Sequence, residues 1–211
     1  MEDKGKIRLG LIGLGQRGNT LLPNILANED VTIDCICDKF EDRITSFSKN
    51  IEEKGFPKPF GSTSFIDILD RKPDCIIVAT SWNSHVEVAL ESMKRGIPVA
   101  IEVGGTHNID DCWKLVDAYE DSHTPFFFLE NCCYGKDEML VTSLYRNGVL
   151  GEVVFCQGAY CHDLRYEIAG GINTRHYRLE EYKNYNCENY PTHELGPIAK
   201  ILDINRGNRF T

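Results

Sequence analysis

The chain has 211 residues, with 23 Lys and Arg against 32 Asp and Glu, and its formal net charge is −9. Because it has no basic block and no basic–aromatic stripe, we predict that nucleic acid is not a partner. The N-terminal residues lack the apolar region of a signal peptide, and no apolar run approaches the ~20 residues of a membrane helix. We therefore expect a cytoplasmic protein with no membrane partner.

Apolar runs alternate with helical patterns up to residue 130. This alternation is typical of a parallel sheet with crossover helices. The predicted strands are Ile7–Ile12, Val31–Cys37, Cys75–Ala79, Val99–Glu102 and Phe126–Leu129. The predicted helices lie near Arg17–Ala27, Asp42–Glu53, Val86–Lys94 and Ile109–Tyr119.

The first predicted strand runs into a G-x-G-x-x-G turn, and the second is followed by an acid. In this pattern Gly13 permits the tight turn, Gly15 lets the backbone approach a pyrophosphate, and Gly18 lets the helix pack against the sheet. Asp38 fits the free ribose 2′-hydroxyl of NAD and would repel the phosphate of NADP. The basic residues Lys39 and Arg43 that follow it reduce this preference for NAD over NADP. We predict NAD as the cofactor.

The pattern changes after Leu129. A helix is predicted at Lys136–Asn147 and a long strand at Gly151–Cys161. Residues Arg165–Tyr190 read as a structured site loop, and a final helix is expected from about His193 to Asn205.

These elements predict an α/β fold with two domains. Residues 1–130 form an NAD-binding Rossmann domain with a doubly wound parallel sheet, and residues 131–211 form the start of an incomplete α+β substrate domain. One strand, one loop and one helix cannot bury the core of a second sheet domain. We therefore expect the N-terminal part of a longer protein or a natural truncation, and a homo-oligomer is left open.

Nine cysteines are present, none of them in a C-x-x-C pair. Cys35, Cys37 and Cys75 interrupt apolar strand patterns, where a thiol acts as a small hydrophobe. Cys132 and Cys133 do not have the spacing of a zinc site, and neither do Cys156 and Cys161. We predict reduced, buried cysteines and no metal.

Four later segments resemble the Gfo/Idh/MocA superfamily of glucose–fructose oxidoreductases and inositol dehydrogenases. More narrowly, they resemble its NAD-dependent glycosidases, glycoside hydrolase family 109, which are α-N-acetylgalactosaminidases. The segments are Glu130–Gly135, Gly158–Arg165, Asn189–Pro197 and Leu202–Phe210. The resemblance implies bound NAD and a glycan substrate that ends in an amino sugar.

The resemblance also implies site residues. Cofactor contacts are expected at the glycine turn, at strand ends and after the last strand: Gly13, Gly15, Gln16, Arg17, Gly18, Asp38, Trp82, Asn83, His85, Glu102, Val103 and Asn131. Sugar contacts are expected at Tyr160, Arg178, Tyr190, Thr192 and His193. For His85 local packing is an equal alternative to a cofactor contact, and for Arg178 the alternative is a solvated loop arginine.

The implied reaction begins with hydride transfer from the sugar C3 to the nicotinamide. Loss of the C2 proton and elimination at C1 follow, and then water and the hydride add back. The predicted catalytic residues are His193, Tyr160 and His162. His193 would deprotonate the C3 hydroxyl, unless it is a capping or core histidine. Tyr160 either removes the C2 proton or holds sugar hydroxyls, and it alternates with His162 on one face of the predicted strand.

One departure separates the chain from dehydrogenases of the superfamily, which usually carry Glu-Lys-Pro at the end of the fifth strand. Here that position reads Glu102-Val103-Gly104, without the proton-relay lysine. An NAD-dependent sugar or inositol dehydrogenase is thus a disfavoured alternative. An inactive NAD-binding fragment is a third, because a further site tyrosine of the family would lie beyond Thr211.

Overall fold

The computed structural model describes residues 5–186 and 191–211. It separates into two compact units, Met1–Leu129 and Glu130–Thr211. None of the described helices combines the length with the apolar character that crossing a membrane requires.

The first unit is built on a six-stranded parallel sheet in the order β3-β2-β1-β4-β5-β6. Its order reverses between β1 and β4, as in doubly wound nucleotide-binding folds. The strands are β1 (Ile7–Ile12), β2 (Val31–Cys37), β3 (Phe60–Ser62), β4 (Cys75–Val78), β5 (Val99–Ile101) and β6 (Phe126–Phe128). The predicted α/β fold and its five predicted strands are confirmed, and β3 is an addition.

Five helices cover the two faces of this sheet. They are α1 (Gln16–Leu26), α2 (Glu41–Glu53), α3 (Phe65–Asp70), α4 (His85–Lys94) and α5 (Ile109–Ser122), with a 3-10 turn at Trp82–Ser84. Helices α1 and α2 pack their apolar residues on one face, and α3, α4 and α5 pack theirs on the other. Helix α3 was not predicted.

Cysteines of the sheet belong to its apolar core, as predicted. Cys35 and Cys37 are 0% and 4% exposed. Burial raises the pKa of each thiol to about 12, so both are neutral at physiological pH. Cys75 is only partly buried, and burial raises the pKa of its thiol as well.

The second unit is helical in its described residues. A 3-10 turn at Asn131–Tyr134 leads into α6 (Lys136–Arg146). Three short helices follow, α7 (Arg165–Ala169), α8 (Gly171–Thr174) and α9 (Arg178–Asn184), and then α10 (Thr192–Ile201). The site loop expected over Arg165–Tyr190 is thus a helical segment over most of its described length.

Two predictions for this unit are wrong. The predicted strand Gly151–Cys161 forms no strand, because no other strand among the unit's described residues offers it a ladder partner. Its apolar side chains stay open to solvent, with Val154 90% and Phe155 77% exposed. The last helix ends at Ile201 instead of Asn205, where the backbone at Asp203 and Asn205 turns to φ values of 53° and 62°.

Candidate functional site

The glycine turn after β1 lies where the strand order reverses. Gly13 has φ +99°, and a Cβ there would stand 2.4 Å from the carbonyl carbon of Ala79 beyond β4. A Cβ on Gly18 would stand 2.2 Å from the Gly13 carbonyl oxygen. A Cβ on Gly15 would meet only the Arg43 guanidinium, at 3.6 Å. Two of the glycines are therefore required by packing, and the third leaves backbone that a ligand can approach.

Helix α1 begins directly after this turn. Gly15 is its N-cap and no side chain caps the helix, while its first turn carries no acid. Gln16 and Arg17 in that turn are exposed. Backbone N–H groups with a positive helix end and no competing acid suit a pyrophosphate, so the turn fits the expected dinucleotide.

Asp38, just after β2, turns its carboxylate toward the same turn and is 7% exposed. Its Oδ2 accepts a hydrogen bond from the Leu14 N–H at 2.9 Å, and its Oδ1 accepts one from the Phe40 N–H at 3.0 Å. Arg43 Nη1 lies 3.5 Å from Oδ2. Oδ2 thus has two partners already, whereas Oδ1 has one and keeps a second lone pair, so Asp38 has acceptor capacity for a ribose hydroxyl.

Glu102 directly follows β5 at the carboxyl edge of the sheet and is 8% exposed. Its Oε1 lies 2.8 Å from Arg17 Nε. This ion pair joins the end of β5 to the first turn of α1. Both residues were predicted to contact the cofactor, and the structure brings them together at the edge where doubly wound folds bind ligands.

The loop after β5 is held by two buried side chains. The Trp82 indole N–H donates to the Val103 carbonyl at 2.9 Å. The His85 ring, 1% exposed, has Nδ1 3.1 Å from the Gly104 carbonyl and Nε2 3.2 Å from the Thr80 carbonyl. Burial lowers the pKa of His85, so the ring is neutral near pH 7 and donates to one carbonyl at a time.

These bonds make Trp82 and His85 supports of the loop, and their expected cofactor contacts remain predictions. Asn83, between them, is exposed, and its Oδ1 accepts from the Ser81 hydroxyl at 2.6 Å.

A second cluster lies within the other unit. Glu130 Oε1 is 2.6 Å from His193 Nδ1 at the start of α10, and the two side chains are 9% and 10% exposed. A carboxylate only accepts hydrogen bonds, so Nδ1 carries the proton and Nε2 is the basic nitrogen of His193. The second oxygen of Glu130, Oε2, is buried and has no hydrogen-bond partner among the described residues.

The rings of Tyr160 and His162 extend this cluster. The Tyr160 ring meets the His193 ring edge-on, with 4.3 Å between centroids, and the His162 ring lies 5.1 Å from that of Tyr160. The Tyr160 ring therefore contacts the rings of both other predicted catalytic residues. The backbone at Tyr160 and His162 is not the strand that was predicted. Their catalytic roles remain predictions.

Two glycines let helix α10 and the neighbouring chain come close enough together to form this cluster. A Cβ on Gly196 of α10 would stand 2.8 Å from Cys133 Sγ and 3.4 Å from Glu130 Cγ. A Cβ on Gly158 would stand 2.7 Å from the Glu194 carbonyl oxygen of α10. Helix α10 thus lies against both the 3-10 turn and the chain segment at Gly158 that precedes Tyr160.

The other residues predicted to contact the sugar lie at different places in the second unit. Thr192 begins α10, and its buried Oγ1 has no hydrogen-bond partner in the described part of the chain. Arg178 begins α9, and its Nε lies 3.6 Å from Glu167 Oε2. Its sugar contact stays a prediction, as does the cofactor contact of the exposed Asn131. Tyr190 lies outside the described residues.

Sequence reasoning did not select Glu130. It holds His193, and its Oε1 also accepts from the Cys132 N–H at 2.9 Å, which caps the 3-10 turn. A signal was available, because Glu130 follows an apolar strand pattern as Glu102 does. Burial, followed by the nearby Glu130 charge, raises the pKa of the Cys132 thiol.

Comparisons with known proteins agree with these two units. Residues 7–128 match the model of an oxidoreductase family with an NAD-binding Rossmann fold, which is more than half of the chain. Residues 134–211 match the model of the C-terminal domain of glycosyl hydrolase 109.

Individual relatives give the same picture. A glycosyl hydrolase family 109 protein of Solibacter usitatus is 37% identical over 98% of this chain and 49% of its own length. An alpha-N-acetylgalactosaminidase of Bacteroides fragilis is 37% identical over 96% of this chain and 50% of its own length. The chain thus spans about half the length of these relatives.

Among solved structures, myo-inositol 2-dehydrogenase of Lactobacillus plantarum superimposes with a TM-score of 0.77 at 17% identity, over 93% of this chain and 56% of that one. At this identity the likeness shows the fold. The first unit is thus an NAD-binding Rossmann domain, and the chain belongs to the Gfo/Idh/MocA oxidoreductase family, in its glycosyl hydrolase family 109 branch.

Proposed function

We propose that this protein is an NAD-dependent glycosidase that releases terminal α-linked N-acetylgalactosamine. The carrying observation is the contact of His193 with both Glu130 and Tyr160, which places a basic nitrogen, a buried carboxylate and a phenol in one cluster. The name of the Bacteroides fragilis relative supports the sugar, and the family supports the cofactor.

NAD would be held by the glycine turn, the first turn of α1 and Asp38, and when bound it supplies reversible acceptance of a hydride from a sugar carbon. Arg17 and Glu102 are the charged pair at this site. Trp82 and His85 fix the loop that carries Val103.

His193 takes the proton of the C3 hydroxyl on Nε2 while that carbon is oxidised. Because Nδ1 is bound to Glu130, the imidazolium that forms is stabilised by the carboxylate beside it. The buried Thr192 hydroxyl, which lacks a partner in the described residues, is the group assigned to a sugar hydroxyl beside His193.

Tyr160 removes the C2 proton, which a C3 ketone acidifies, and the C1–O bond then breaks by elimination. Its ring lies against the His193 ring, and the residue as a whole is 44% exposed. In this proposal the net redox change is zero. The paired-carboxylate mechanism of other glycosidases is not required.

A sugar or inositol dehydrogenase is the second candidate, favoured by the likeness in fold to an inositol dehydrogenase. Val103 opposes it. This side chain cannot carry a proton, and the Val103 carbonyl is bound to the Trp82 indole.

The proposal is tested with an aryl α-N-acetylgalactosaminide and its 3-deoxy analogue, using the purified protein supplied with NAD. We expect release of the aryl alcohol from the first substrate, no release from the analogue, and no accumulation of NADH. Equal cleavage of the analogue would exclude oxidation at C3. NADH accumulation on free sugars without cleavage would assign the protein to the dehydrogenases.

A further inference from the structure

Three different metal-ligating side chains converge beside the proposed sugar site. One carboxylate oxygen of Glu130, the Sγ of Cys132 and a ring nitrogen of His193 lie within 4.8 Å of one another. Within residues 5–186 and 191–211, this is the one group of three or more such side chains whose donor atoms come so close. The spacing of the cysteines did not predict it, because the third donor comes from a helix that begins 60 residues later in the chain.

A second observation points to a ligand at this place. The Glu130 side chain is 9% exposed, and its Oε2 has no hydrogen-bond partner among the described residues. A buried carboxylate oxygen without a partner is costly, and a bound cation would satisfy it.

The donor set matches a definite class of cation. One thiolate, one imidazole and one carboxylate are ligands of Zn²⁺, which binds them at about 2.0–2.3 Å in a tetrahedral arrangement with donors roughly 3.5 Å apart. The three donors lie within 4.8 Å of one another, and Glu130 Oε1 and His193 Nδ1, at 2.6 Å, would move apart to admit the cation. Three protein ligands leave one position for water.

The backbone around the donors is suited to hold them. Glu130 and Cys132 belong to one short turn, because Glu130 Oε1 accepts from the Cys132 N–H. Gly196 lets α10, which carries His193, lie directly against that turn. The three donors are therefore supplied by two packed elements of a single unit.

We propose that Glu130, Cys132 and His193 form an inhibitory site for a divalent cation of the zinc class. The cation replaces the proton that His193 Nδ1 shares with Glu130, and the Cys132 thiol gives its proton to solvent. Because Nδ1 then offers its lone pair to the metal, the neutral imidazole carries its proton on Nε2. The nitrogen assigned to the sugar hydroxyl becomes a donor, so the metal-loaded protein is inactive. This last step rests on the proposed function.

The binding test needs no substrate. The full chain, reduced, metal-free and carrying Cys112→Ser and Cys161→Ser to remove two exposed thiols, is titrated with Co²⁺ and then with Zn²⁺. We expect a single equivalent of Co²⁺ with a thiolate-to-cobalt charge-transfer band, which Zn²⁺ displaces. Adding Cys132→Ser should abolish the band and weaken binding by about tenfold or more.

The neighbouring Cys133 provides the matched control, since its Sγ faces Gly196 of α10. Cys133→Ser should keep both the band and the affinity. A band that survives in Cys132→Ser, equal loss in both variants, or no band in the starting protein would each overturn the site. Thermal melts of each variant identify any loss that comes from unfolding, and His193→Gln then serves as a second variant that must also lose binding.

Inhibition is measured separately. For each variant, the turnover rate with Zn²⁺ is divided by the rate of the same variant without Zn²⁺. We expect Zn²⁺ to slow the starting protein and Cys133→Ser but not Cys132→Ser. If the cobalt band forms but no variant cleaves the sugar, the proposed function fails and the metal site stands. If the sugar is cleaved and the band is absent, the metal site alone is refuted.

Discussion

Replacing Glu130 by glutamine removes the negative charge beside His193 and keeps the shape of the side chain. The Glu130 and His193 side chains are about nine-tenths buried, with 2.6 Å between Oε1 and Nδ1. A glutamine oxygen can still accept from the Cys132 N–H, so the turn that Glu130 caps is preserved. The change therefore acts on the charge that forms on His193 during the reaction.

The size of the effect follows from the distance between the two charges. At about 4 Å between charge centres and an effective dielectric constant of about 20, the attraction is about 4 kcal/mol. It is present only once His193 has taken the sugar proton, so its loss raises the barrier without weakening substrate binding. We expect kcat of Glu130→Gln to fall by about 10³, with KM changed by less than about threefold.

The assay is aryl glycoside hydrolysis by Glu130→Gln, by Glu130→Asp as the conservative variant, and by Glu152→Gln as a control on the exposed surface of the same unit. The aspartate should recover part of the rate, and the control should match the unchanged protein. Nitrogen NMR of the His193 ring should show the proton on Nδ1 in both proteins, because the glutamine oxygen accepts the bond from Nδ1 as the carboxylate does. A rate for Glu130→Gln within about threefold of normal would refute the charge argument.

Three further predictions concern the Rossmann unit. Gly13→Ala should lose several kcal/mol in urea denaturation, about 3 or more, because its Cβ would overlap backbone and its φ is positive, whereas Gly15→Ala should fold normally and bind NAD more weakly. A Gly15→Ala protein that fails to fold would contradict this contrast. Asp38→Asn should weaken NAD binding by about tenfold in calorimetry and narrow its preference over NADP; unchanged affinity would remove Asp38 from the cofactor site. Because burial lowers the pKa of His85, the unfolded chain binds this proton more readily, so the free energy of unfolding should fall as pH drops below about 6.5, by up to about 1.4 kcal/mol per unit. The free energy of unfolding of His85→Gln should fall less steeply over the same pH range, because only the other groups still contribute. Identical pH curves for the two proteins would show that His85 makes no contribution.

The Rossmann unit was predictable because its signals are local and repeated. Each long strand pattern is followed by a helical one, and the glycine turn fixes where the sheet begins. Strand β3 was missed because three residues, one of them Gly61, carry no pattern. Its glycine is needed for packing, since a Cβ there would stand 2.4 Å from Ile44 Cγ2 of α2. Only the tertiary structure reveals this requirement.

The second unit was less predictable because its structure depends on distant partners. The run Gly151–Cys161 has strand composition, but a strand needs a ladder, which local sequence cannot supply. The pair of Glu130 and His193 joins residues 63 positions apart, so no spacing rule finds it. The resemblance indicated His193 and Tyr160, and alternation on a predicted strand added His162. The structure added the carboxylate that holds His193.

The most direct test of the central claim is proton NMR of an aryl α-N-acetylgalactosaminide cleaved by the NAD-loaded protein in deuterated water. Oxidation at C3 followed by loss of the C2 proton predicts deuterium at C2 of the released sugar, with no net NADH. Release of sugar that retains its C2 proton would contradict the redox-assisted elimination, even with the substrate correctly identified.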